Sequence, residues 1–142
     1  MVATASIPIN CAMIYSEATA LWAFPASAPL VGNPHFSLLG ETCLVEFSLQ
    51  VAEGRSEAVS LLFDRVASYR CTLRPALSPR VIEAFHGRLT EIMGSAWKDE
   101  VLAALMENGT PPPSPLRHLA ICFEEGPGYE FICGGFEARL RP

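Results

Sequence analysis

Residues 117–140 read RHLAICFEEGPGYEFICGGFEARL, and this stretch restricts the fold more than any other. Two apolar runs flank an acidic break that ends in Gly126-Pro127-Gly128. That is the pattern of a β-hairpin. In the first strand Leu119, Ile121 and Phe123 alternate with Leu116, His118, Ala120 and Cys122, so both faces are mostly apolar. In the return strand Tyr129, Phe131 and Cys133 alternate with Glu130 and Ile132. Strands apolar on both faces are central in a sheet, or covered by helices or a partner. Gly134-Gly135 marks a bulge or a close approach of backbone segments.

Upstream, residues 41–51 (ETCLVEFSLQV) hold the clearest alternation in the chain. Cys43, Val45, Phe47, Leu49 and Val51 share one face, as expected of a half-exposed antiparallel strand. Residues 58–73 continue the sheet, with a bulge or sharp bend at Asp64-Arg65 dividing them. Residues 19–24 have strand composition, and residues 25–40, punctuated by Pro, Gly and Asn, read as a loop. Ser78 and Pro79 open a helix whose stripe runs through Val81, Ile82, Phe85, Leu89, Ile92 and Met93 to a stop at Gly94. Ser95 caps a second helix with Trp97, Val101, Leu102, Leu105 and Met106 on one side. Residues 110–115 (TPPPSP) are an extended spacer. The expected fold class is α+β: an antiparallel sheet of about five or six strands with two helices packed on one face. It forms a single domain over residues 1–142, with residues 1–40 as a charge-poor N-terminal strand and arm.

A chain of 142 residues is one domain and buries a core without staples. Its net charge of −5 and ten scattered basic residues give no basic patch, so neither nucleic acid nor an anionic membrane surface is an expected partner. The five cysteines, at 11, 43, 71, 122 and 133, have no CxxC spacing. Zinc-site and thioredoxin-like readings fail on that ground. Reduced core thiols are the expectation, and they imply a cytoplasmic protein. The N-terminal segment lacks a basic leader and is interrupted by Glu17, so no signal peptide is expected. Its apolar runs are far short of the ~20 residues of a membrane span. Glu17 is the only formally charged residue among the first forty. A segment so poor in charge lies against the core or against a second subunit, and a homo-oligomer is expected.

No nucleophile elbow, phosphate-binding loop or HExxH spacing occurs, and no catalytic residue, metal site or cofactor is assigned. Binding residues are sought where Arg and Tyr cluster, since both are common in binding hot spots. Asp64, Arg65, Tyr69 and Arg70 form such a group near the expected bend. With His86, His118 and Tyr129, residues Arg65, Tyr69 and Arg70 are the candidate binding set. Glu124, Glu125, Glu130 and Glu137 give the hairpin an acidic rim suited to a basic partner surface.

From Gly40 onward the pattern resembles a broad group of small bacterial proteins. The matching segments are Tyr69-Arg70-Cys71-Thr72, Trp97, Arg117 to Phe123, Tyr129-Glu130 and Gly135-Phe136-Glu137. The resemblance covers about 100 residues and implies no activity. Some members look like immunity-type proteins that neutralise a toxin by binding it. Two functions are therefore carried forward. One is a non-enzymatic binding or structural protein, homodimeric and acting through protein contact. The other is a small-molecule binder or enzyme with a pocket between sheet and helices, its mouth lined by Tyr69, Arg70, His86, His118 and Tyr129.

Overall fold

The computed structural model describes residues 18–24, 29–123 and 126–141. Its strands are β1 (Ala18–Ala23), β2 (Leu30–Leu39), β3 (Thr42–Ala52), β4 (Arg55–Asp64), β5 (Ser68–Thr72), β6 (Arg88–Ile92), β7 (Arg117–Cys122), β8 (Gly128–Cys133) and β9 (Gly135–Arg141). Two helices interrupt the series: α1 (Pro79–Phe85) and α2 (Ala96–Glu107). The strands form not one sheet but two, of five strands in the order β1-β6-β7-β8-β5 and four in the order β2-β3-β4-β9. This corrects the expected single sheet of five or six strands.

The physical reason lies in which faces are apolar. The inward residues of β3 and β4 (Cys43, Val45, Phe47, Leu49, Val59, Leu61 and Phe63) share one buried core with Leu89, Leu119, Ile121, Phe123, Tyr129, Phe131 and Cys133. Packing the two sheets face to face buries both sets, as in a β-sandwich. Phe63 and Phe131 stack across the interface with ring centroids 3.9 Å apart. The opposite face of β6 and β7 supplies Ile92, Ala120 and Cys122, which α1 covers with Phe85, Val81 and Ala84. The five-stranded sheet is thus the middle of three layers. That explains why the hairpin strands are apolar on both sides, and β7 and β8 are indeed interior strands of their sheet.

Two local expectations change with the sheets. Residues 30–39 are an edge strand rather than a loop, and Pro34 is tolerated because β2 pairs only with β3. The first helix stops at Phe85, and Arg88–Ile92 is strand β6. Gly87, with φ +63°, takes the left-handed turn that ends the helix. Leu89 then faces the sandwich core while Ile92 faces α1. Their spacing after Phe85 had imitated a helical stripe.

The paired strands β4 and β9 lead into the paired strands β5 and β8 across one corner. Arg65 turns there with φ 49°, and the Gly134 N–H donates to the Asp64 carbonyl at 3.0 Å. A Cβ on Gly134 would lie 2.5 Å from the Arg65 guanidinium. The glycine therefore permits the close approach that lets both strands change sheets. Cys122 and Cys133 are not cross-strand neighbours, since Cys122 pairs with Gly128 and Arg117 with Cys133. The expected N-terminal arm and the acidic pair Glu124-Glu125 lie largely or wholly outside the described residues. No helix among the described residues is long and apolar enough to cross a membrane.

Candidate functional site

The register of the five-stranded sheet puts Arg70 directly opposite Glu130, and Glu130 opposite Ala120. On that outer face the Arg70 guanidinium grips the Glu130 carboxylate with two bonds, Nε to Oε2 at 2.9 Å and Nη2 to Oε1 at 3.0 Å. Such a fork-to-fork pair fixes both side chains in one plane. His118, only 1% exposed, places Nε2 2.9 Å from Glu130 Oε1 and Nδ1 2.7 Å from Ser95 Oγ. Ser95 caps α2, accepting from the Lys98 N–H at 3.0 Å.

Burial works to raise the Glu130 pKa. The hydrogen bonds from His118 and Arg70, with the charge of the guanidinium, outweigh it and hold the group at about 2. An ionised carboxylate only accepts, so the His118 Nε2–H donates to it. At its other nitrogen, Nδ1, the ring is hydrogen-bonded to the Ser95 hydroxyl, whose oxygen also accepts from the Lys98 N–H. Trp97 closes the group. The Arg70 guanidinium carbon lies 4.1 Å from its ring centroid, and its edge meets the His118 ring at 5.1 Å. Stacking of guanidinium on indole adds attraction and keeps Arg70 in place.

This network forms one end of a cavity of about 230 Å³ between α1 and the outer face of the sheet. Leu77, Val81 and Phe85 line the helix side, and Ile92, Ala120 and Cys122 line the sheet side. Burial pushes the Cys122 thiol up to about 11, and the Glu130 charge adds to this. The thiol is protonated at neutral pH and serves as apolar wall rather than nucleophile.

The contact order Ser95–His118–Glu130 resembles a nucleophile, base and acid. Ser95 is 1% exposed, and its oxygen is engaged by the helix terminus. Buried and held by these bonds, the hydroxyl links the start of α2 through His118 to Glu130. Among the described residues no cluster of His, Cys, Asp and Glu is arranged to hold a metal ion.

Of the six candidate residues, Arg70 and His118 present polar groups to this cavity. Tyr129 borders it from β8, but its ring stacks on Phe36 in the sandwich core, with centroids 5.6 Å apart. Tyr69 sits beside Phe36 at 5.0 Å, away from the cavity lining. His86 is exposed at the end of α1, and its backbone bridges Cys122. Arg65 is at the corner, 3.6 Å from Asp64, bordering a separate cavity of about 200 Å³ beneath Pro111, Pro112 and Pro113.

Three members of the network were not in the candidate set: Ser95, Trp97 and Glu130. Glu130 carried a signal, as the one charged residue inside the apolar return strand. Ser95 was visible only as a cap. Trp97 had been assigned to the apolar stripe of its helix.

Fold and site together define an antiparallel β-sandwich with a helix-covered pocket on its outer flank. Comparison with known protein families, characterised proteins and solved structures finds no match to this chain. The functional reading therefore rests on the geometry.

Proposed function

We propose that this is a small-molecule-binding protein whose ligand lies between α1 and the five-stranded sheet. The observation that carries the reading is the cavity itself, with apolar walls and a single polar end at Arg70, Glu130 and His118. Binding sites for small molecules have this composition: mostly apolar lining with a few placed polar groups. The buried positioning of His118 and Ser95 supports preorganisation of that polar end. Protein contact through the acidic hairpin rim gains less support, since Glu130 is engaged inside the network. The unpaired cysteines at 43, 71, 122 and 133 favour a reducing, cytoplasmic setting.

The test is ligand-observed NMR with a set of monocyclic aromatic and medium-chain aliphatic probes, on the native protein and on Ala120→Leu. Ala120 is on the cavity wall and 1% exposed, so the added carbons occupy ligand space. Saturable binding to the native protein, lost in a variant that still melts cooperatively, is the expected result. Failure of every probe to bind the native protein, or equal binding by the folded variant, refutes the reading.

Association of two copies is a second reading. β2 is an edge strand of its sheet, and Leu38 and Leu39 are 50% and 82% exposed at its end. Exposed apolar residues on an edge strand favour pairing with another chain. Light scattering across a concentration series decides it, a monomer throughout being the refuting outcome.

A further inference from the structure

We infer that the ligand of this cavity is an uncharged molecule of about ten non-hydrogen atoms, with an apolar body and one uncharged polar group that hydrogen-bonds at the Arg70–Glu130 end. This rests on the pocket reading above and specifies the chemistry of its occupant.

Size sets the first limit. An engineered cavity of ~150 Å³ takes benzene, with six non-hydrogen atoms. The present volume of about 230 Å³ is half as large again, which admits about nine or ten such atoms. One ring with a short substituent fits, as does a medium-length aliphatic chain.

Charge sets the second. Among the described residues the lining contains one Arg and one carboxylate, Arg70 and Glu130, and they are bonded to each other. An anionic ligand would lie against the Glu130 carboxylate, and the Arg70 charge is already balanced by that carboxylate. A cationic ligand would lie against the Arg70 guanidinium, and the Glu130 charge is already shared with Arg70 and His118. Either ion enters an apolar cavity with no uncommitted counter-charge, which is costly. An uncharged polar group brings no such charge.

Spare valence sets the third. Arg70 has five N–H donors, and Nε and Nη2 are the atoms engaged with Glu130. On Glu130, Oε1 meets both His118 and Arg70, while Oε2, among the described residues, meets the Arg70 Nε alone. Beyond these bonds the guanidinium keeps N–H donors at its Nη end and the carboxylate keeps a lone pair on Oε2 at the other end. An alcohol, a phenol or a primary amide can use either.

The experiment is isothermal titration with three congeners that share one phenyl ring and a benzylic CH2 and differ in the charge of the polar end: phenethyl alcohol, phenylacetate and phenethylammonium. The alcohol is expected to bind at least about tenfold more tightly than either ion. In Glu130→Gln, checked by its melting curve, Arg70 loses its counter-charge. Phenylacetate should then gain at least about tenfold relative to the alcohol. Equal affinities in the native protein, or an ion binding most tightly, overturn the inference while leaving the pocket standing. Binding of toluene without binding of any congener has the same meaning. Absence of binding by toluene and all three congeners removes both the pocket reading and the inference. An unchanged preference in Glu130→Gln overturns the charge argument.

Discussion

Replacing Glu130 by Gln has a consequence for stability that pH makes visible. Folding lowers the Glu130 pKa from the usual 4.5 to about 2. At ~1.4 kcal/mol per pKa unit, that drop corresponds to about 3 kcal/mol favouring the folded, ionised state. Arg70 is half-exposed and its share is screened by solvent, so the lower end, about 2 kcal/mol, is expected. Because the folded pKa is the depressed one, this stabilisation is complete above about pH 4.5. It is lost as the pH falls through about 2, where the folded protein also takes up the proton. A glutamine resembles the protonated carboxyl and has no such dependence. Urea unfolding of both proteins at about pH 7, 5, 4, 3 and 2 is the assay. The gap between them should be about 2 kcal/mol at pH 7 and should close toward pH 2. Other carboxylates titrate in both proteins and cancel in the difference. A gap that stays constant over this range, or that is absent at pH 7, refutes the assigned network.

Three further outcomes are expected. Ser95→Ala removes the cap of α2 and the partner of His118 Nδ1, and chemical denaturation should show a loss of about 1–3 kcal/mol; a change below about 0.5 kcal/mol would contradict the cap and histidine assignments. Gly87→Ala places a Cβ at φ +63° and 3.3 Å from the Phe24 ring, and a loss of about 1–2 kcal/mol is expected in thermal melts, against no loss if the turn tolerates alanine. In a Cys11→Ser background, a bulky thiol reagent should label Cys71, which is exposed, but not Cys43, Cys122 or Cys133 until the protein unfolds. Rapid native labelling of all four, read by mass spectrometry, would contradict the burial that pushes the last three thiols up to about 11 or 12.

The hairpin of β7 and β8 was legible because its alternation repeats on both strands, and its two apolar faces announced cover on both sides. What covers them was not legible. One side meets a second sheet and the other a helix, and both provide equally apolar neighbours. Two strands, one in each sheet, were hidden. Pro34, with Gly32 and Asn33, made β2 look like a loop, although an edge strand tolerates such residues. Leu89 and Ile92, four and seven residues after Phe85, fitted a helix as well as a strand until Gly87 is recognised as the break. At the site, Arg70 and His118 stood out by residue type. Their common partner Glu130 was grouped with the solvated glutamates of the hairpin, because only the strand register shows that it faces the helices rather than water.

The central claim is that a small molecule occupies the space beneath α1, and mapping backbone amide shifts during titration with phenethyl alcohol tests it most directly. Saturable shifts should concentrate at Val81, Phe85, Ala120, Cys122 and Glu130, which border the cavity, with β2, β3, β4 and β9 unmoved. Shifts that gather on the four-stranded sheet, or that grow linearly without saturation anywhere, would contradict it.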